Sequence, residues 1–433
     1  MKFYSTNDKE LRVTFREAVM KGLSDDGGLF MPETIPAFDK TFIENIDKYS
    51  LSEIAFEIIS KYTSDDLTED KLHEIVKSSF TFESPVKILS DNLGILELFH
   101  GPTLAFKDFG ARFMARTMGY FAKDLDKELN ILVATSGDTG SAVASGFYNV
   151  EGINVFILYP SGKVSSNQEK QLTTYGNNII ALEIDGTFDD CQKIVKTAFL
   201  DNDIKNKLYL SSANSINIAR LLPQSVYYAE AFKQLKELNK EIVFSVPSGN
   251  LGNITAGLIA KKMGLPVSKF ISATNMNNVF TEFIESGKFN PRKSVATLSN
   301  AMDVGNPSNL SRIIELYDDD LELIKVDVDS STYNDETTKL AIKEVSENFN
   351  YTIDPHGAIG YLALKKFYED NDPSNYIGVV LETAHPAKFK EVAESVLGKE
   401  IIIPERLDSC LHKEKNSIKI SKNFEDVKKY LLS

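Results

Sequence analysis

Short apolar runs alternate with longer amphipathic stretches along most of the chain, and the alternation sets in near residue 85. The runs are Asn130–Thr135 (NILVAT), Asn154–Tyr159 (NVFILY), Ile179–Ile184 (IIALEI), Leu208–Ser211, Glu241–Val246 (EIVFSV) and Tyr376–Leu381 (YIGVVL). Apolar strands alternating with helices predict parallel sheets covered on both faces. Ligands of such sheets bind beyond the carboxyl ends of the strands, and most of the unusual polar clusters stand there. Ahead of this region, Thr14–Gly22 and Leu51–Tyr62 have helical spacing, with an Asp25-Asp26-Gly27-Gly28 turn between them. Ser50 or Ser52 is placed to cap the second helix, with Glu53 in its first turn. The N-terminal stretch therefore reads as a unit of its own. No internal repeat or low-complexity tract is visible.

A chain of 433 residues can bury two or three cores, so more than one domain is expected. Lys and Arg number 48 against 62 Asp and Glu, a net charge of -14. That balance disfavours nucleic acid as a partner, because phosphate backbones need concentrated positive charge. It leaves small anionic substrates open, since a few basic groups in a cleft can capture them. Cys191 and Cys410 lie far apart without metal-type spacing, so no metal site is expected and the thiols read as those of a cytosolic protein. The N-terminus MKFYSTNDKELRVTF carries charge throughout and no apolar core, and no run approaches the roughly 18 apolar residues of a membrane span. A soluble, cytoplasmic chain without a membrane partner is the expectation.

Four clusters carry candidate chemistry. Pro247-Ser248-Gly249-Asn250-Leu251-Gly252-Asn253 follows a strand and opens a helical stretch, Ile254–Met263. Glycines allow close backbone approach, and a helix N-terminus offers free N–H groups with partial positive charge, which together make a phosphate cradle. No Gly-Lys-Ser/Thr ends the segment, so it is not a Walker loop, and it lacks a full GxGxxG. A tight βα turn explains its glycines equally well. In His100-Gly101-Pro102-Thr103-Leu104-Ala105-Phe106-Lys107-Asp108-Phe109-Gly110, desolvation between phenylalanines favours a neutral Lys107 amine, the form a Schiff base requires. The plain alternative is a surface lysine on an amphipathic helix. A lysine nucleophile and a separate phosphate cradle are, however, the two parts a pyridoxal-phosphate (PLP) site needs together. Ser136-Gly137-Asp138-Thr139-Gly140, ahead of a helix expected from Ser141, suits a carboxylate or serves as a helix cap. In Glu382-Thr383-Ala384-His385-Pro386-Ala387-Lys388-Phe389, Thr383 suits a pyridine nitrogen as a neutral partner, whereas His385 reads more simply as structural. Ser299–Asn309 and Asp354–Gly357 read as loops without an assigned role.

Together these segments make the chain resemble the fold-type II (tryptophan synthase β-like) PLP enzymes and, within them, the threonine synthase family. The resemblance rests on HGPTLAFKDFG around Lys107, SGDTGSA at 136–142, PSGNLGN at 247–253 and SNAMDVGNPSN at 299–309. DPHGA at 354–358, ETAHPAKF at 382–389, LSDDGGLFMPE at 23–33 and SSANSINIARLLPQ at 211–224 add to it. It implies two parallel-sheet α/β domains and a mainly helical N-terminal domain. The expected divisions are 1–82 for the N-terminal domain, 83–210 for a smaller domain with Lys107 and SGDTG, and 211–433 for a larger one with the phosphate loop. PLP would lie between the last two. Lys107 would carry the cofactor, Gly249, Asn250, Leu251, Gly252 and Asn253 would bind its phosphate, and Thr383 would face its pyridine nitrogen. Many relatives have Asn where this chain has Asp138, near the cofactor's phenolic oxygen. An acid there repels a phenolate unless a donor intervenes, so its contact is left open.

The implied activity turns O-phospho-L-homoserine and water into L-threonine and phosphate, with Lys107 as the base. The substrate's own phosphate needs a second anion pocket. Candidates are Lys163, Ser165, Asn217 and Arg220, with Ser136, Asp138 and Thr139 alongside. Asn217 and Arg220 share a helical face; an interdomain ion pair explains Arg220 equally well, and a solvated loop explains Lys163. The rivals are a phospho-lyase of the same fold, releasing 2-oxobutanoate and phosphate, and a non-catalytic PLP-binding protein. Residues after Glu405 read as a helix on the larger domain, and the assembly as a monomer or homodimer.

Overall fold

The computed structural model describes the whole chain, Met1–Ser433. Thirteen strands form three sheets. The N-terminal region holds an antiparallel ribbon of β1 (Phe3–Ser5) and β2 (Phe30–Pro32) with helices Phe15–Lys21, Leu51–Thr63 and Glu69–Ser79. Ser50 starts the second of these through a reciprocal box. Its Oγ accepts from the Glu53 N–H, and Glu53 Oε2 accepts from the Ser50 N–H at 2.7 Å.

The small sheet is wholly parallel, in the order β13–β7–β6–β5–β8. Its strands are β5 (Leu129–Ala134), β6 (Ile153–Pro160), β7 (Ile179–Asp185), β8 (Tyr209–Ser212) and β13 (Ile418–Ser421). The large sheet runs β11–β10–β9–β12–β4–β3, parallel except for the β3–β4 pair. It comprises β3 (Val86–Ser90), β4 (Leu93–Glu97), β9 (Glu241–Pro247), β10 (Lys269–Thr274), β11 (Val328–Thr332) and β12 (Tyr376–Glu382). β5, β9 and β12 are buried at nearly every position because helices cover both faces of each sheet.

The expected division at 82/83 falls between helix Glu69–Ser79 and β3, but the assignment of 83–210 to the smaller domain and 211–433 to the larger does not follow these sheets. β3 and β4 join the large sheet although they precede Lys107, and β8 of the small sheet straddles residue 210. The C-terminal segment does not pack as a helix on the larger domain but returns to the smaller. β13 pairs with the edge of β7, and Val427 and Leu431 of helix Phe424–Leu431 enter a core with Leu182, Ile184 and Ile194. Lys415 fastens this return by reaching Glu169 and the buried Glu183, each at 2.7 Å. No helix is long and apolar enough to cross a membrane.

Candidate active site

A cavity of ≈ 210 Å³ opens where β5, β9 and β12 end, between the two parallel sheets. Lys107, Ser136, Thr139, Arg220, Gly249 to Asn253 and Thr383 all line it. Lys107 opens helix Lys107–Ala122 rather than sitting on an exposed helix face. The turn before it is closed by Asp108, whose buried carboxylate accepts from the Thr103 N–H and hydroxyl, both at 2.8 Å. A Cβ at Gly101 would lie 2.4 Å from Asp108 Oδ2, so this close turn needs a glycine. Leu104 adopts a left-handed φ of 58°, a costly conformation for leucine. The loop is laced to the end of β12: the Phe106 N–H donates to Thr383 O at 2.9 Å and the His385 N–H to Leu104 O at 3.0 Å. Those two bonds fix Lys107 relative to Thr383.

The Pro247–Asn253 loop leaves β9 and turns at Leu251, φ 62°, into helix Gly252–Lys262. The helix has no side-chain cap, and no N–H from Gly249 to Asn253 donates to another protein group. Side chains brace the loop instead. Asn250 Nδ2 donates to Ser215 Oγ at 2.6 Å, and Asn253 Nδ2 to Pro247 O at 2.8 Å. Helix Asp138–Phe147 also begins at the cavity; its N-cap Gly137 offers no side chain, and Thr135 Oγ1 accepts from the Gly137 and Gly140 N–H groups at 2.9 and 2.8 Å. The helix thus starts at Asp138, ahead of the expected Ser141. Two helix N-termini, with their partial positive charge, therefore point into one cleft.

Charge is organised around Asp138. Its Oδ1 lies 2.8 Å from Lys388 Nζ and accepts from Gln168 Nε2 at 2.9 Å, and its Oδ2 lies 3.8 Å from Lys107 Nζ. Burial alone would raise the Asp138 pKa, but Lys388 and Lys107 together hold it well below the usual carboxylate range. For Lys107, burial lowers the pKa first, Asp138 opposes, and Lys388 and Arg220 push the same way as burial. Arg220 is buried, makes no ion pair and has its pKa lowered to about 10 by burial. Its Nη1 donates to Ala213 O at 2.6 Å and its Nε has no partner. The ion-pair reading of Arg220 is therefore set aside. The Oδ1 of Asn300, another cavity residue, is likewise buried without a partner. Uncommitted N–H groups, a desolvated amine and these unpaired buried atoms suit an aldehyde cofactor carrying a phosphate.

Three expected substrate residues lie away from the cavity. Lys163 is exposed on the loop after β6. Ser165 caps helix Ser166–Thr173 by accepting from the Gln168 N–H. Asn217 is fully committed: its Nδ2 donates to Val19 O at 2.8 Å and Ser212 O at 3.2 Å, and its Oδ1 accepts from the Ala219 N–H at 2.9 Å. As a cap, Asn217 turns away from the face it was expected to share with Arg220. Conversely, Asn300 and Met302 on a short helical turn, His356 in the first turn of helix Pro355–Asp370 and Ser215 after β8 line the cavity without having been singled out in the sequence. The segments 299–309 and 354–357, expected as loops, are partly helical, and Lys388 stands behind Asp138. His385 is structural. Its Nδ1 accepts from the Ala387 N–H at 3.1 Å, and its ring meets Phe99 edge-on with centroids 5.0 Å apart.

Known proteins place these features in a family. Residues 86–382 match the family described as pyridoxal-phosphate dependent enzyme, residues 2–80 the threonine synthase N terminus, and residues 357–431 the threonine synthase C-terminal family. Threonine synthase of Escherichia coli (strain K12) is 46% identical over 408 residues, covering 94% of each chain. The crystal structure of threonine synthase from Escherichia coli superposes with a TM-score of 0.93 at 44% identity, covering 100% of this chain and 99% of that one. A PLP-bound threonine synthase from Brucella melitensis gives 0.92 at 33% identity with the same coverage. The chain belongs to the threonine synthase family of pyridoxal-phosphate-dependent enzymes.

Proposed function

We propose that the cleft converts O-phospho-L-homoserine and water to L-threonine and inorganic phosphate, with Lys107 as the catalytic base. The observation that carries this reading is the largely buried Lys107 amine facing a cavity that also holds two helix N-termini and Arg220. Bound PLP supplies the electron sink for charge developing at Cα and Cβ of the substrate. The N–H groups of Gly249, Asn250, Leu251, Gly252 and Asn253 would hold its phosphate, and the Thr383 hydroxyl would be a neutral partner for its ring nitrogen. The Lys107 amine would take a proton from the substrate's Cα and then one from Cβ. It would return protons to Cγ and Cα, while phosphate departs from Cγ and water supplies the hydroxyl at Cβ and a proton to the departing phosphate. Ser136, Thr139 and the start of helix Asp138–Phe147 receive one of the substrate's two anionic groups. Arg220, buried and free of any carboxylate, receives the leaving phosphate. Burial lowers the Lys107 pKa, which favours the neutral amine this role requires.

Lys107→Ala tests the assignment. Turnover is expected to vanish, with the variant still folded by circular dichroism. Full activity in that variant would overturn the role of Lys107.

A further inference from the structure

Lys388 is a second lysine with no place in the reaction as described above. Its ammonium is fully buried, 2.8 Å from Asp138 Oδ1 and donating to Thr103 O at 2.9 Å. It stands on the short helical turn Pro386–Phe389 after β12 of the large sheet, whereas Asp138 begins a helix after β5 of the small one. The pair therefore spans the cleft between the sheets. Thr103 in turn holds Asp108, the residue after Lys107. One buried cation thus grips both segments that present the reactive amine. A buried ammonium is costly without a partner, and this one has a single carboxylate within reach, shared with Lys107.

We infer that Lys388 is a positioning residue for the reaction: it neutralises and pins Asp138, so that the Asp138 carboxylate orients Lys107 without holding a proton on it. The inference rests on the proposed role of Lys107. Were Asp138 paired with Lys107 alone, the two would form a closed ion pair, and the amine would stay protonated and unable to attack an aldehyde or take a proton from carbon. With Lys388 present, the Asp138 carboxylate is shared between two amines, which favours release of a proton from Lys107. The groups facing Lys107 from the surrounding elements are Asp138, Lys388, Arg220 and Asp354. Burial and the two cations lower its pKa, while the two carboxylates oppose them. Lys388 also answers the problem an acid poses beside a phenolate, because it and Gln168 occupy Asp138 Oδ1 as donors.

The test follows the pH dependence of PLP capture by cofactor-stripped, full-length protein, read as the absorbance of lysine-bound cofactor. In Lys388→Met the midpoint is expected to rise by about one pH unit, since a repelling cation is lost and a bare carboxylate is left beside Lys107. Lys388→Arg keeps the charge and is expected to stay near the parent midpoint. The double variant Asp138→Asn with Lys388→Met is expected to fall back toward the parent. An unmoved midpoint in Lys388→Met, with only a lower melting temperature, would reduce Lys388 to packing and overturn the inference. If Lys388→Met does not fold, the double variant decides: recovery of folded protein supports charge pairing, and failure to recover contradicts it. Borohydride fixation and peptide mass locate the captured cofactor. Attachment away from Lys107 sinks the reading of the cleft, whereas an unmoved midpoint with cofactor on Lys107 sinks only the role of Lys388.

Discussion

Gly249 shows how closely the phosphate loop is fitted at the residue scale. A Cβ there would lie 2.7 Å from Met302 Cα and 3.1 Å from Ala301 O, both backbone atoms that cannot swing aside. Gly249→Ala is expected to push the loop off its seat and weaken PLP binding about tenfold, an overpacking cost of 1–2 kcal/mol; fluorescence titration with PLP measures it. His385 gives a pH prediction. Burial, reinforced by His100, lowers its pKa to about 4 against an ordinary value of 6.5. The unfolded chain therefore binds the proton first, so stability is full above pH 6.5 and is lost as pH falls toward 4, by at most about 3 kcal/mol from this group. His385→Asn keeps a capping side chain without the titration. The stability gap between parent and variant in urea should narrow from pH 7 to pH 4.5; a constant gap would contradict the assignment. Lys107 and the Gly249–Asn253 loop, singled out in the sequence, do line one cavity. Lys388 was not singled out, because nothing in ETAHPAKF says which side chain turns inward toward Asp138.

At the scale of elements, apolar runs located β5, β6, β7, β8, β9 and β12, because helices cover both sheet faces, but β4 and β10 were not read from the sequence although both are buried. β11, with the sequence Val-Asp-Ser-Ser-Thr on a sheet edge, escaped that rule, since an edge strand needs no continuous apolar run. The helices after SGDTG and PSGNLGN begin earlier than their apolar periodicity suggests, at Asp138 and Gly252. Their first turns are made of small and polar residues without apolar periodicity, which hid the helix starts. Caps made of side chains were easier to read. The Ser50 and Glu53 box was visible as Ser-x-x-Glu before an apolar face. Ser50→Ala should cost about 1 kcal/mol in urea unfolding and leave PLP capture unchanged, because the helix it starts lies outside the cleft. An equal fall in capture would link that helix to the site.

At the scale of the molecule, two parallel sheets meet with the carboxyl ends of β5, β9 and β12 around one cavity. That architecture was legible as a class from the β/α alternation. The path of the chain was not. The last thirty or so residues return to the small sheet through contacts of β13 with β7 and of Lys415 with Glu183, pairings that local pattern cannot encode. The same long-range return carries the chain past the lysine loop, where Leu407 packs with Leu104 and Arg406 donates to the His100 carbonyl. The cleft is therefore assembled from segments spread over most of the sequence. Its purpose is best tested on the whole enzyme, by following threonine, 2-oxobutanoate and phosphate together after O-phospho-L-homoserine is added to the purified, PLP-loaded protein. The account predicts threonine and phosphate in equal amounts with no 2-oxobutanoate. Phosphate matched by 2-oxobutanoate, or no phosphate at all, would contradict it.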